Sequence, residues 1–192
     1  MPNHSHGHAD FEAFYAEGQK WSGNPNDALI REAAPLRPAR ALDIGCGEGA
    51  DLIWLAEQGW QVTGIDPVAA AVERARSLVD ARGLDVEVIE TGVADFSPTR
   101  PFDLVACSYL PVGVEAVAAV EKFVAPGGTL LWVHHDFGAD GRPGIVLPPQ
   151  VGEALSGDFV VDKLETVSRH VSHGAGAHHD EDLVLVARRK EG

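Results

Sequence analysis

The sequence predicts an α/β fold: a doubly wound, mostly parallel sheet with an antiparallel hairpin added at its C-terminal end. Two observations carry this. From Arg40 onward, five short apolar runs alternate with helical patterns of about 10–16 residues, the rhythm of parallel βαβ units. The last two strand-like runs are separated only by the His- and Gly-rich HGAGAHHDE. A connection that short holds no crossover helix, so these two runs must pair antiparallel.

Residues 10–15, DFEAFY, set Phe11, Phe14 and Tyr15 on one helical face behind Asp10 as a cap. WSGNPN (21–26) is turn chemistry, and DALIREAA after it is a second short helix ended near Pro35 and Pro38. ARALDIG is a buried first strand running into glycines. EGADLIWLAEQG is a helix with Leu52, Leu55 and Ala56 on one face and Gly59 just past its end. WQVTGID is the second strand, VAAAVERARSLVDARG a helix closed by Gly83, and DVEVIETG the third strand. FDLVACSY (102–109) is the fourth. VEAVAAVEKFVAPGG is helical until Pro126 and Gly127 stop it, and TLLWVHHD is the fifth strand. DFVVDKLETVSRHV and DLVLVARR supply the final hairpin.

Composition narrows the function classes. Fifteen Lys and Arg against 29 Asp and Glu give a formal charge of −14 over 192 residues. Such a surface repels phosphate backbones and anionic lipid, so neither nucleic acid nor a membrane is an expected partner. No apolar run approaches the roughly 20 residues needed to cross a bilayer, and MPNHSHGHAD lacks the cationic start and apolar stretch of a secretory signal. Two cysteines, Cys46 and Cys107, make no disulfide framework and suit a reducing cytoplasm. The remaining classes are a cytosolic enzyme, a small-ligand binder and an acidic interaction module.

The chemistry concentrates in ALDIGCGEGADLIW. Gly45, Gly47 and Gly49 sit where the first strand turns into its helix, and their missing side chains let a ligand press against backbone. Gly45-x-Gly47-x-x-Ala50 also fits the loose dinucleotide fingerprint. Asp43, Glu48 and Asp51 surround this loop with no compensating Arg or Lys in the segment. Like charges in close contact cost several kcal/mol by order of magnitude. The loop therefore suits an ammonium or sulfonium better than a pyrophosphate. Asp66 ends the second strand, 21 residues after Gly45, where a carboxylate can accept both hydroxyls of a ribose. It also reads as a helix cap, with Pro67 at the first helical position. Asp95, beyond the third strand, can accept from an exocyclic amine while the N–H of Phe96 meets a ring nitrogen.

ALDIGCGEGADLIWLAEQG, Asp66-Pro67, VADF, FDLVACSY and APGGTLLWVHHD, in that order, resemble the class I S-adenosylmethionine-dependent methyltransferases, from about Trp21 to the C-terminus. Within them the chain looks most like the compact small-molecule type that includes the tellurite-resistance methyltransferases. The resemblance implies a Rossmann-like sheet and S-adenosyl-L-methionine as cofactor. It implies that Asp43, Gly45, Cys46 and Gly47 hold the methionine part of the cofactor. Asp66 with Pro67 would take the ribose, Ala94, Asp95 and Phe96 the adenine, and Ser108 and Tyr109 would lie near the reacting end. The acidic pattern usual after the third strand is shortened here to Val93-Ala94-Asp95. One domain is expected over 1–192: a mobile His-containing tail and short helix over 1–20, and a cofactor-binding core over 40–192.

Methyl transfer from a sulfonium requires an aligned nucleophile, exclusion of water, and a base only when the nucleophile must lose a proton. Trp21, Tyr109, His134, His135 and Asp136 are the candidates for that end. Trp21 is read as covering the cofactor, and His135 and Tyr109 as the catalytic pair. His134 must face away from its neighbour, which favours a structural role. The Asn/Asp-Pro-Pro-aromatic run of amine-methylating nucleic-acid enzymes is replaced by SYLPV, so a small-molecule acceptor is favoured: a thiol, chalcogen oxyanion, amine or hydroxyl. Cys107 reads as an inert core thiol. His4, His6 and His8, and His173, His178 and His179 with Asp180, lack a fixed coordination shell, so no metal site is expected. Two rival classes stay open, an NAD-dependent oxidoreductase and a non-catalytic binder with the same fold. The sequence assigns no oligomeric state.

Overall fold

The computed structural model describes residues 23–138, 141–168 and 180–192. The expected helix at 10–15, Trp21, and the histidines at 4, 6, 8, 173, 178 and 179 lie outside the described residues. The elements in chain order are α1 (Asp27–Ala33), β1 (Arg40–Ile44), α2 (Ala50–Glu57), β2 (Gln61–Asp66), α3 (Ala69–Ala81) and β3 (Glu87–Glu90). Then come β4 (Phe102–Ser108), a 3-10 turn (Val114–Ala116), α4 (Val117–Phe123), β5 (Val124–His135), α5 (Pro148–Ala154), β6 (Phe159–Ser168) and β7 (Glu181–Arg189).

Seven strands form one sheet in the order β3-β2-β1-β4-β5-β7-β6. The first five pair in parallel. β7 runs antiparallel between β5 and β6, as the short connection before it requires. Strand order reverses between β1 and β4, and that switch point opens a crevice beyond the carboxyl ends of the strands. Alternate side chains build a core on each face of the sheet. Ala41, Leu104, Ala106, Leu131, Val133 and Val184 meet α1, α2 and α3 through residues such as Leu29, Leu52 and Val72. Leu42, Ile44, Val105, Leu130, Trp132 and Leu185 meet α4 and α5 through Val117, Val120, Phe123 and Val151.

Two boundaries differ from the sequence reading. The helix expected to reach Pro126 stops at Phe123, because Val124 is already extended (φ −82, ψ 126) and pairs with Phe102. The residue before a proline avoids helical backbone, and Ala125 holds that position. The register then jumps to Leu104↔Thr129, so APGG bulges out of β5. α5 was not foreseen. Two prolines open it, and Gln150 Oε1 accepts the N–H of Leu147 at 2.9 Å, a start signal inside a segment with little apolar periodicity.

Gly64 of β2 shows how tightly the loop after β1 is seated. A Cβ there would lie 2.8 Å from Leu52 Cδ2 and 3.1 Å from Cys46 Sγ. Gly64→Ala is expected to cost about 1–3 kcal/mol through overpacking, measured as a lower urea midpoint at unchanged m-value.

Candidate active site

The loop after β1 turns through Gly45, Gly47 and Gly49 at φ +72, +52 and +93, backbone that only glycine adopts without strain. At Gly45 a side chain is excluded twice over, since its Cβ would also come within 2.8 Å of Leu110. The N–H groups of Gly45 and Cys46 donate to Ile65 O at 2.8 and 3.0 Å, and that of Gly49 to Cys46 O at 2.9 Å. Gly47 N–H donates to Asp66 Oδ2 at 2.9 Å. A phosphate cradle aims such amides at its ligand; here those of Gly45, Cys46 and Gly47 are turned back onto β2 and that of Gly49 back into the loop. Asp66 Oδ1 accepts Val68 N–H at 2.9 Å, so this carboxylate closes the turn at Pro67 and ties down the glycine loop; it is not the expected helix cap, because α3 begins at Ala69 with Val68 at the cap position and no side-chain cap bond.

Beneath the loop the charges are unusual. Asp43 is 2% exposed, and among the described residues its Oδ2 has no hydrogen-bond partner. Burial lifts its carboxyl well above the ordinary 3.8, and the neighbouring Asp51 and Asp66 lift it further against one backbone N–H from Leu52. Burial also raises Asp51, which accepts Asn26 N–H at 2.7 Å and the Ser108 hydroxyl at 2.9 Å. Glu48 does not belong to this group, contrary to the sequence reading. Arg74 of α3 reaches across and pairs with it at 2.9 Å, so Asp66 is the third member. A buried, unpaired carboxylate costs free energy that a bound cation returns. The sulfonium and ammonium of S-adenosylmethionine carry that charge, and these residues fit them.

The remaining cofactor candidates divide. Ala94 and Asp95 are exposed in the turn after β3. Phe96 N–H, expected to meet a ring nitrogen, instead donates to Gly92 O at 3.1 Å. The Phe96 ring is half-buried and packs on Phe102 and Phe123 at the margin of the core. Cys46 is buried with its sulfur toward Gly64, so only its backbone faces the loop. Cys107 is fully buried, and burial raises both thiols well above 9.0.

At the other side of the crevice, Tyr109 leaves β4 at φ +57, the one non-glycine residue with positive φ among those described. Its N–H donates to Val133 O at 2.8 Å, holding the turn against β5. Its hydroxyl accepts from Asn26 Nδ2 at 3.0 Å and donates to Asp182 Oδ2 at 2.6 Å. The ring stacks on His135 at 4.2 Å and 26°. His135 Nδ1 lies 2.9 Å from Asp182 Oδ1. His134 does not turn away from its neighbour as expected: its ring lies edge-on to His135 at 5.9 Å and shares Tyr109 and Phe137 with it. Burial, then the neighbouring His135, lowers it to about 4. Asp136 caps its own turn through Gly138 N–H at 2.7 Å.

Asn26 and Asp182 escaped the sequence reading. Asn26 stood in a turn, and only its place before DALIREAA marks it as the cap of α1. Asp182 becomes visible only through register, because β5 pairs His135 with Asp182 across the antiparallel ladder.

Residues 41–128 match the model of a methyltransferase domain family. The aklanonic acid methyltransferase DauC of Streptomyces sp. strain C5 is 37% identical over 132 residues, 64% of this chain and 59% of that one. A ubiquinone biosynthesis O-methyltransferase of Saccharophagus degradans is 32% identical over 109 residues, 54% and 46% of the two chains. A ribosomal RNA small subunit methyltransferase C of Alcanivorax borkumensis matches at 30% over 107 residues, 50% of this chain and 32% of its own. The chain thus spans roughly a third to three-fifths of these relatives. Among solved structures, the N-methyltransferase NodS of Bradyrhizobium japonicum WM9 with S-adenosyl-L-homocysteine superposes with a TM-score of 0.77 at 20% identity, over 96% of this chain and 99% of that one. Residues 41–128 thus match a methyltransferase domain, and the fold is that of NodS, whose structure holds S-adenosyl-L-homocysteine. The ribosomal RNA relative removes kinship as a ground for excluding nucleic acid. No helix among the described residues is long and apolar enough to cross a membrane, and in those residues no three His, Cys, Asp or Glu side chains are placed to hold a metal ion together.

Because the Asp43 carboxyl is raised in the folded chain, the native state holds that proton to higher pH than the unfolded state does. Ionising it therefore weakens the fold as pH climbs from about 3.9, the unfolded value, through the raised native one. Asp43→Asn should raise the urea midpoint of the cofactor-free protein at pH 7, and flatten that dependence. The same change should lower S-adenosylmethionine affinity roughly 10- to 150-fold, the loss of a charge-assisted contact, measured by calorimetry.

Proposed function

We propose that this protein transfers the methyl group of S-adenosylmethionine to a small-molecule acceptor. The observation that carries the reading is the acidic trio of buried Asp43 and Asp66 with half-buried Asp51, behind a loop whose amides turn inward. That arrangement disfavours a pyrophosphate and favours a cationic sulfur ligand. Asp43 and the Gly45–Gly47 backbone would hold the methionine end, Asp66 with Pro67 the ribose, and the Ala94–Asp95 turn the adenine. Ser108, through its bond to Asp51, would hold the wall between cofactor and acceptor. When bound, the sulfonium supplies an electrophilic methyl group. The chain's own task is to align the nucleophile, exclude water and take a proton where the acceptor has one.

His135 and Tyr109 stand at the acceptor end of this reading, where β4 and β5 leave the sheet. His135 is 7% exposed, a water-poor setting for proton transfer. The ubiquinone biosynthesis O-methyltransferase and the aklanonic acid methyltransferase among the relatives lend the small-molecule class support, as does the −14 charge against an RNA backbone. One domain carries this reading, its core over 40–192 joined by Asn26 at the start of α1.

Two measurements test the reading. S-adenosylhomocysteine at about 100 times its dissociation constant should stabilise the fold by about 2.7 kcal/mol, whereas NADH at that concentration should do almost nothing; a larger shift with NADH would turn the assignment toward an oxidoreductase. His135→Gln should cut single-turnover methylation of a protic acceptor by about 10²-fold or more, with S-adenosylhomocysteine affinity near wild type. Equal losses with protic and pre-ionised acceptors would leave His135 no role as a base.

A further inference from the structure

Asp182 is 4% exposed and lies at the start of β7, opposite His135 in the β5–β7 ladder. Its two oxygens serve two different groups of the acceptor end. Oδ1 is 2.9 Å from His135 Nδ1 and Oδ2 accepts the Tyr109 hydroxyl at 2.6 Å. An ionised carboxylate only accepts hydrogen bonds, so the ring nitrogen facing it must carry a proton. The neutral imidazole then has its lone pair on Nε2. Tyr109 reinforces this from the other side. Its hydroxyl proton goes to Asp182 while its oxygen accepts from Asn26 at 3.0 Å, and its ring lies flat on the imidazole at 4.2 Å. Position, tautomer and ring plane of His135 are thus fixed together.

We infer that Asp182 is a positioning residue that holds His135 as the Nδ1–H tautomer, so that Nε2 takes the proton of a neutral hydroxyl acceptor such as a phenol. This rests on the methyl-transfer reading for the identity of the acceptor but not for the tautomer. A neutral acceptor fits the charges at this end, where Asp51 and Asp182 both repel an anion and Arg142 is engaged over the Phe137 ring at 4.6 Å. In the step, the acceptor O–H bond breaks and its proton goes to Nε2. The oxygen's electron pair forms a bond to the methyl carbon, and the carbon–sulfur bond breaks with its pair kept by sulfur. The imidazolium then returns its proton to solvent.

The test is long-range ¹H–¹⁵N NMR of the full chain with ¹⁵N-labelled histidine at pH 8, with the His135 signals assigned by comparison with His135→Gln. Wild type should show His135 protonated on Nδ1 alone. Tyr109→Phe should keep that tautomer, because the carboxylate remains. Asp182→Asn should move the proton to Nε2, since the amide can donate to Nδ1, and Asp182→Glu should restore Nδ1–H. A wild-type ring carrying its proton on Nε2, or an Asp182→Asn ring unchanged from wild type, overturns the inference. Should Asp182→Asn fail to fold, the wild-type tautomer decides alone. Methyl transfer to catechol should fall at least about 10²-fold in Asp182→Asn, the scale of a lost base, with S-adenosylhomocysteine affinity retained. Transfer to selenite in preference to catechol overturns the neutral-hydroxyl acceptor while leaving methyl transfer itself standing; loss of S-adenosylhomocysteine binding in wild type would instead remove the methyl-transfer reading and leave the tautomer result intact.

Discussion

Like charges held close together in a place with little water set the terms for this sheet edge. Asp43 sits at the end of β1, surrounded by Asp51 from α2 and Asp66 from β2. Each is carried by an element whose position is fixed independently: β1 by pairing on both sides, α2 by its packing on β1 and β2, and β2 by β1 and β3. The repulsion cannot be relieved by moving apart without breaking those contacts. It is relieved by protonation or by a bound positive charge. The glycine loop is the lid on this arrangement, and it can lie so low only because positions 45, 47 and 49 carry no side chains.

The same edge joins that cluster to the acceptor end through a short polar chain. Asp51 takes Ser108 and the amide of Asn26, whose side chain reaches Tyr109, which in turn meets Asp182 and lies on His135. Each residue comes from a different element: α2, β4, the start of α1, the β4 exit, β7 and β5. Buried polar groups of this kind are costly when left without partners and order their surroundings when satisfied. The strained backbone of Tyr109 fits here, because non-glycine residues at positive φ persist where neighbouring structure over-determines them.

Much of the fold was legible because its signals are local or periodic. Alternating strand and helix patterns gave the parallel units, and the short HGAGAHHDE connection gave the antiparallel pairing. The glycine turn and Asp66 were legible as a site for the same reason, being close together in sequence at the end of two strands. What was missed depends on register and on reach. The Glu48–Arg74 pair joins residues 26 positions apart, and no spacing rule in the sequence links a loop glutamate to the middle of the next helix but one. Asp182 looked like the first residue of an ordinary edge hairpin until the ladder set it against His135. Phe96 was read by its neighbour Asp95, whereas its ring obeys the hydrophobic core formed by Phe102 and Phe123. The end of α4 moved because a bulge at Pro126 and Gly127 lets Val124 join the sheet early.

The antiparallel β7 has a consequence for how such a chain comes together during synthesis. β6 is made before β7, yet in the finished sheet it touches no strand except β7. Until the last strand arrives, β6 has no place to dock, and β5 keeps a bare edge. The cofactor half closes with residues no later than Ser108, whereas the Tyr109–Asp182 contact bridges 73 positions. Long loop closures come late and slowly. A nascent chain can therefore acquire its pocket for the methyl donor well before it acquires the groups that would handle an acceptor, and the final nine-residue strand is the keystone that joins the two.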